Sequence, residues 1–474
     1  MKSVAIIGAG ITGLTAAFHL KRAGVSVTLY EAGNRAGGVI QSFRKDGFLA
    51  EFGPNTILET SPKIAQLIRE AGLESRKLAS DPKAEARYVV RYGRPIEMPG
   101  SPPGFFTTKL FTARAKLAVL REPFIKPRRD GIEESIAQFV VRRFNQEFLD
   151  HAIDALVAGI YAGDPHKLSL PHAFPKLKAL EDNYGSMIKG QILGALERKK
   201  RKKSGDVAKD RAPKISFDEG LQVLPDTLAG HLGDSLKLNT PVTKLTQTRG
   251  GWLVTATNGE AEFGSVIYCG TAYRLAQLQI LGRSGNPLPA DGQPETVRST
   301  TAFSEISYPP VASVVLGFRR EDVAHPAGGF GMLIPKIEGF KILGTIFSSA
   351  LFPNRAPAGH LTLTSYLGGA RYPELTLLPP EQLIEITLAD LRVLLGVKGK
   401  PVFTQTVVYP QAIPQYNVGY GKYRNLLNDL EAVSPGLFFA GHYRDGVSLG
   451  DSIVSGCNIS LRAEEFLRSE VKSL

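Results

Sequence analysis

The stretch that most constrains this chain is Lys2-Ser-Val-Ala-Ile-Ile-Gly8-Ala9-Gly10-Ile11-Thr12-Gly13-Leu14. The apolar run Val4 to Ile7 predicts a short buried strand, and Thr15 to Gly24 predicts the helix that follows. The glycines between them have separate jobs. Gly8 permits the tight turn, Gly10 lets the backbone approach a pyrophosphate, and Gly13 lets helix and strand pack closely. The helix N-terminus adds unpaired N–H groups and a partial positive charge for that anion. A second apolar run, Val25 to Tyr30, ends in Glu31 and Ala32. A carboxylate about 20 residues beyond the glycines binds a ribose diol, and an acid there fits an unphosphorylated adenosine ribose. Strand, turn, helix, strand and acid in that order predict a βαβ unit that binds a dinucleotide.

The following segment brings Gly37 and Gly38, then Gly47 to Thr56 with Gly53-Pro54-Asn55-Thr56 inside it. The glycines allow close passage over a large flat ligand, and Gly-Pro-Asn makes a rigid turn. This stretch resembles the FAD-binding entrance of the flavin amine oxidase and protoporphyrinogen oxidase superfamily.

At 474 residues the chain is long enough for about three domains. With 43% apolar residues it can bury a sizeable core. Its two cysteines, Cys269 and Cys457, are too few for a disulfide framework and fit a reducing compartment. No CxxC occurs and the eight histidines lack metal-ligand spacing, so no metal site is expected. Met1 lies three residues before the first predicted strand, which leads us to expect no signal peptide and a bacterial-type cytoplasmic protein. No apolar run of about 18 residues is present, so membrane contact would be peripheral.

The net charge of +12 is uneven. Residues 101–215 hold 22 Lys+Arg against 13 Asp+Glu, which is +9 of that total. Within them, Leu110, Ala113, Leu117 and Leu120 recur at helical spacing among Lys109, Arg114 and Lys116. Arg198 to Lys203 is an unbroken run of six cations, suited to a solvated loop or to anionic lipid. No nucleic-acid-binding motif accompanies this charge.

Beyond the first unit, Ser61 to Gly72 predicts a helix and Arg87 to Pro99 two short strands about Gly93. From Pro99 to about Lys203 the pattern is mostly helical, at 135–144, 146–158 and 186–200, with 157–165 predicted as a small-residue loop. Strands are predicted at 236–245, 252–259 and 263–269, and a large antiparallel sheet over 301–372. A helix is predicted at 381–395. Gly436 to Gly456 predicts a strand, a glycine-rich turn and a helix beginning near Val447, whose positive end would favour negative charge on a flavin.

Together these motifs resemble the oxygen-dependent protoporphyrinogen oxidase family nearly end to end, most of all its plant mitochondrial-type branch. Gly329 to Pro335, Leu343 to Pro357, Tyr366-Leu-Gly368-Gly369 and the Gly163-Asp-Pro loop are the more specific matches. The resemblance implies an α/β fold with a discontinuous Rossmann-like FAD-binding domain (1–74, 216–272 and 434–474). It implies a mixed or antiparallel-sheet substrate domain (75–98 and 273–433) and an inserted helical, membrane-associated domain (99–215). It implies non-covalent FAD held by Gly8 to Gly13, Glu31, Ala32, Gly37, Gly38, Gly53 to Thr56, Val242, Gly441, Val447, Ser448 and Leu449.

The implied reaction is six-electron oxidation of protoporphyrinogen IX to protoporphyrin IX. Hydride passes to flavin N5, and O2 serves as acceptor, giving hydrogen peroxide. No catalytic side chain is required. By position Arg87 matches the arginine that pairs a substrate propionate, a role suited to a planar, permanently charged fork. Phe330, Leu333, Ile346 and Tyr366 match the apolar walls, and Gly163 lies in the loop over the flavin. Two positions depart from the family: Ala162 precedes Gly163 where two glycines are common, and Tyr366 stands where Phe is usual.

Implied partners are the porphyrinogen, O2, an anionic membrane surface touched peripherally, and a ferrochelatase or a second copy of the chain. The implied location is the cytoplasmic face of a bacterial-type inner membrane or the cytoplasm. Coproporphyrinogen III oxidase, another amine oxidase-type enzyme and a membrane-bound flavoprotein scaffold remain as alternatives. The first would want more cations than Arg87 alone, and amine oxidases place an aromatic where Val447-Ser448-Leu449 stands.

Overall fold

The computed structural model describes residues 2–200, 212–286 and 300–472. A parallel five-stranded sheet orders Leu236–Lys237, Ser26–Tyr30, Ser3–Ile7, Ser265–Tyr268 and Leu437–Phe439. The N-terminal strand is central because both faces of Val4 to Ile7 are apolar and buried. Three distant stretches of chain thus build one sheet. Helix Ile11–Arg22 packs against it and against the last helix, Leu449–Lys472. Gly456 allows that approach, since a Cβ there would lie 2.5 Å from the Thr12 carbonyl oxygen.

A second, seven-stranded sheet orders Phe403–Tyr409, Val311–Arg319, His360–Gly368, Ile342–Ile346, Gly331–Leu333, Arg87–Arg91 and Arg94–Glu97. It is antiparallel except where Gly331–Leu333 runs parallel to Arg87–Arg91. One face is covered by helix Pro380–Leu395 through Leu383, Leu388, Leu391 and Leu394. Ile57–Leu58, Lys214–Phe217 and Lys77–Ala79 form a three-stranded sheet, with Ile57, Ile215 and Phe217 in the core of the parallel sheet. Strands Gly259–Phe263, Trp252–Ala256, Val242–Gln247 and Gln279–Leu281 make a further one.

Helices dominate residues 102–200, with two differences from expectation. Residues 146–161 are helical throughout, with a π-helical turn over Leu149–Ile153, so the predicted loop at 157–165 begins only at Ala162. Gly159 sits in that helix as a packing residue, because a Cβ there would lie 2.5 Å from Leu333 Cδ2. The basic segment at 108–120 is helical only over Ala113–Arg121. Leu110 is buried ahead of that helix, whereas Leu117 and Leu120 are more than half exposed. Arg143 is fully buried and pairs with the equally buried Glu122 and Glu181. Glu122 also accepts from Ser186 Oγ and the N–H groups of Met187 and Ile188, capping helix Met187–Lys200. The side chains from 195 and residues 201–211 lie outside the described residues, and with them most of the six-cation run.

Candidate cofactor and substrate site

The three glycines after the first strand are not equivalent. Gly8 has φ +102, and a Cβ there would come within 3.1 Å of the Cys269 and Gly270 backbone. At Gly13 a Cβ would lie 2.0 Å from the Gly8 carbonyl oxygen. At Gly10 it would meet nothing within 4 Å, so packing within the protein does not explain that glycine. Bare backbone there leaves a cradle before the helix, which begins at Ile11 rather than at Thr15. Ile11, Thr12 and Gly13 therefore form its first turn, whose N–H groups lack intrahelical partners. No acid stands in that turn to oppose an anion. A pyrophosphate fits this donor set.

Glu31 stands at the tip of the second strand. Its Oε2 accepts from Ala9 N–H and its Oε1 from Gly33 N–H, each at 2.8 Å. The carboxylate therefore holds the loop as well as facing the place a ribose would reach, with exposed Ala32 beside it. Thr240 N–H donates to the Glu31 carbonyl and Asn239 N–H to that of Gly33, which brings Val242 to this tip. Arg35 donates to the carbonyls of Ala36, Gly38 and Ile40, fixing the loop that carries Gly37 and Gly38. Gly37 N–H donates to the Ala9 carbonyl, so the two glycine clusters are joined.

The far end of the chain meets the same cradle. Thr12 Oγ1 donates to the Ser452 carbonyl at 3.0 Å. Gly441, at φ +119, donates its N–H to Ser455 Oγ. Val447 and Ser448 lead into the helix at Leu449, where Ser448 Oγ accepts from Asp451 N–H and Asp451 Oδ2 from Ser448 N–H. A shell of tyrosines fixes the intervening turn. Tyr416 and Tyr420 donate to the carbonyls of His442 and Tyr443, and Tyr308 OH is 3.5 Å from His442 Nε2. Burial pushes the His442 imidazole down to about 4, so it is neutral near pH 7. Scattered tyrosines in sequence gave no sign of this shell.

Predicted wall residues come together on the open face of the seven-stranded sheet. Leu333 pairs with Gly344 and Gly344 with Tyr366, while Ile346 lies two residues along from Gly344 on the same face. Leu333, Ile346, Tyr366 and Phe330 are all partly exposed, unlike the buried Met332 and Thr345 on the opposite face. Gly344 supplies no side chain between Leu333 and Tyr366, so these partly exposed apolar side chains flank a bare stretch of strand, the slot. Ala158 and Ala162 pack beside Tyr366 at its margin. Gly163 lies just beyond, where a Cβ would be 2.4 Å from Gln415 Oε1 and would have to displace that side chain.

The Tyr366 hydroxyl has a definite role. It accepts from Asn55 Nδ2 at 2.6 Å and donates to the Gly53 carbonyl at 3.2 Å. This ties Gly53-Pro54-Asn55 and, after it, Thr56 to the slot. Burial pushes the Tyr366 phenol up, so it stays protonated. At the other end, Arg87 is exposed, with its guanidinium 5.6 Å from the centre of the Phe330 ring. No carboxylate among the described residues pairs with it.

Two other features lie apart from the slot. Cys457 Sγ is 3.4 Å from His19 Nε2, and His19 Nδ1 is 3.6 Å from Glu70, in the order of a nucleophile, base and acid. Burial pushes this thiol up to about 11, and it sits behind the first helix as packing. A shallow depression at Arg319, Arg320, Glu321, Val323, Gly359 and His360 lies at the opposite end of the strands from Gly368. Among the described residues, no cluster of His, Cys, Asp and Glu is arranged to hold a metal ion.

A sequence model described as "Flavin containing amine oxidoreductase" matches residues 11–462. The chain is 34% identical to protoporphyrinogen oxidase 2 of Arabidopsis thaliana over 99% of its length and 95% of the relative's. It is 30% identical to the coproporphyrinogen III oxidase of Bacillus subtilis over 96% of each chain. Its fold matches a solved structure from Exiguobacterium sp., provisionally described as a protoporphyrinogen oxidase. The TM-score is 0.78, with 23% identity and 98% of each chain covered. The open cradle at Gly10, the acid beyond it and a family match along almost the whole sequence agree. The chain is an FAD-dependent oxidoreductase belonging to the flavin-containing amine oxidoreductase family.

Proposed function

We propose that the chain oxidises protoporphyrinogen IX to protoporphyrin IX, with three O2 reduced to three H2O2. One observation carries this reading: the partly exposed apolar side chains of Leu333, Ile346, Tyr366 and Phe330 stand together, with the Arg87 guanidinium over Phe330 and no carboxylate paired with it among the described residues. A porphyrinogen is an apolar disc charged only at its carboxylates, and the slot matches that distribution. Bound FAD supplies the two-electron acceptor that each step needs. The residues of this chain bind, orient and exclude water. The slot holds the disc by apolar contact, and a bidentate arginine at one edge fixes its rotation. Neutral His442 and protonated Tyr366 add no charge to the site near pH 7.

The reading extends to the roles of the residues named from the sequence, to non-covalent FAD and to the three-domain division given above. It also extends to peripheral docking of the helical insertion on anionic lipid. Exposed Phe106, Leu117, Leu120, Phe124, Ile132 and Ile192 on a basic segment support that last point. No helix among the described residues is long and apolar enough to cross a membrane.

The 30% identity to coproporphyrinogen III oxidases favours a second substrate, which carries four carboxylates. Aerobic assay of the purified holoenzyme with both porphyrinogens separates the readings. Formation of protoporphyrin with H2O2 at the higher kcat/KM is expected. Preference for coproporphyrinogen selects the second reading, and no turnover of either overturns both.

A further inference from the structure

Arg87 is not the only cation without an acidic partner at this edge. Lys214 opens strand Lys214–Phe217, which lies between Ile57–Leu58 and Lys77–Ala79. Ile215 and Phe217 point into the core below the parallel sheet, together with Ile57. Strand alternation therefore turns Lys214 and Ser216 to the other face. Register sets Leu58 opposite Lys214 and Leu78 opposite Ser216 on that face. Leu78 packs against the buried cluster of Ala84, Leu351 and Phe352, and so do Phe330, which lies under Arg87, and Ile346. Ser216 accepts from Arg355 at 2.6 Å on the same side. The face that carries Lys214 and the wall beneath Arg87 thus pack against one shared cluster.

Lys214 is half-buried, and no carboxylate among the described residues lies within ion-pairing distance of it. Burial, and then the Arg87 charge, pull its ammonium down, while Glu85 acts weakly the other way. A half-buried ammonium without an acidic partner, with a second cation near it, favours an anion at that place. Arg371, by contrast, is already paired with Asp154 at 2.6 Å and is not available.

We infer that Lys214 is a second substrate-binding cation, which with Arg87 grips two neighbouring carboxylates on one edge of the substrate. This rests on the porphyrinogen reading above and sharpens it. Two cations at a single edge suit the two adjacent propionates of protoporphyrinogen better than four carboxylates spread around a ring. Lys214 acts by charge at a point, whereas Arg87 sets direction through its fork.

The test uses the flavin-loaded enzyme and its Lys214→Met, Lys214→Gln and Lys214→Arg variants. Steady-state kinetics with protoporphyrinogen IX and with its dimethyl ester are paired with quenching of mesoporphyrin IX fluorescence on binding. Lys214→Met and Lys214→Gln should raise KM for the diacid and Kd for mesoporphyrin about tenfold, with kcat within about twofold. Flavin content should be unchanged, the advantage of diacid over diester should shrink, and Lys214→Arg should keep most of it. Unchanged KM, Kd and ester discrimination in a flavin-loaded Met or Gln variant would overturn the inference while leaving the porphyrinogen reading intact. A wild-type enzyme that neither turns over nor binds any porphyrin would overturn both.

Discussion

At the scale of single residues, Arg87 and His442 carry the sharpest expectations. Arg87 is exposed and stacked on Phe330, without an acid to hold it. Arg87→Ala should raise KM for protoporphyrinogen about ten- to a hundredfold, the scale of a lost charged hydrogen bond. Flavin content should stay the same, because Arg87 is remote from the Gly8–Gly13 cradle, and Lys should rescue only in part. Unaltered kinetics would remove Arg87 from the substrate site. His442 gives a stability signature. Its folded value lies near 4 against 6.5 unfolded, so the unfolded chain takes up the proton first as pH falls. Its contribution is complete above pH 6.5 and is lost on going down toward pH 4, amounting to about 2 kcal/mol by pH 5. A His442→Asn variant with matched flavin should lose less stability than wild type between pH 7.5 and 5. Parallel losses in thermal melts would contradict this.

At the scale of elements, the contacts between turns matter more than the turns themselves. The Gly53-Pro54-Asn55 turn was legible as a rigid bend, but its position is set by Tyr366, over 300 residues away in sequence. Tyr366→Phe removes a hydroxyl that both accepts and donates. It should lower stability by about 1 kcal/mol and speed flavin loss on dialysis, with the sheet intact. Equal flavin retention would mean that the turn stands without this tie. Helix limits were less legible. The helical run to Tyr161 hides behind Gly159, whose small size serves contact with Leu333 rather than a loop.

At the scale of the whole molecule, the basic insertion is held by a buried network rather than by its charge. Arg143, Glu122 and Glu181 compensate one another in its interior, while Leu117, Leu120 and Phe124 are exposed. With acidic vesicles at low salt, the protein should sediment in large part, and release should follow within a few hundred millimolar salt as the charges are screened. Replacing Leu117, Leu120 and Phe124 by Ser should weaken the residual salt-resistant binding. Indifference of the wild type to such vesicles would leave the exposed apolar set without a lipid role.

By itself the sequence determined what is local and periodic. Strand Ser3–Ile7, the glycines, Glu31 and the helix after them follow from adjacent residues whose chemistry allows few other conformations. The alternating strands of the large sheet and helix Pro380–Leu395 were legible for the same reason. The roles expected of Phe330 and Arg87 rest on resemblance alone, because nothing local distinguishes a wall residue from core or a binding arginine from a surface charge. Tertiary structure alone decided the rest: that the last helix meets the first turn of the first helix, that Tyr366 holds Asn55, and that Leu78 lies opposite Ser216 on the face shared with Lys214. These depend on strand order and register between distant segments. No short-range preference encodes them, because one residue of slip would turn each side chain to the opposite face.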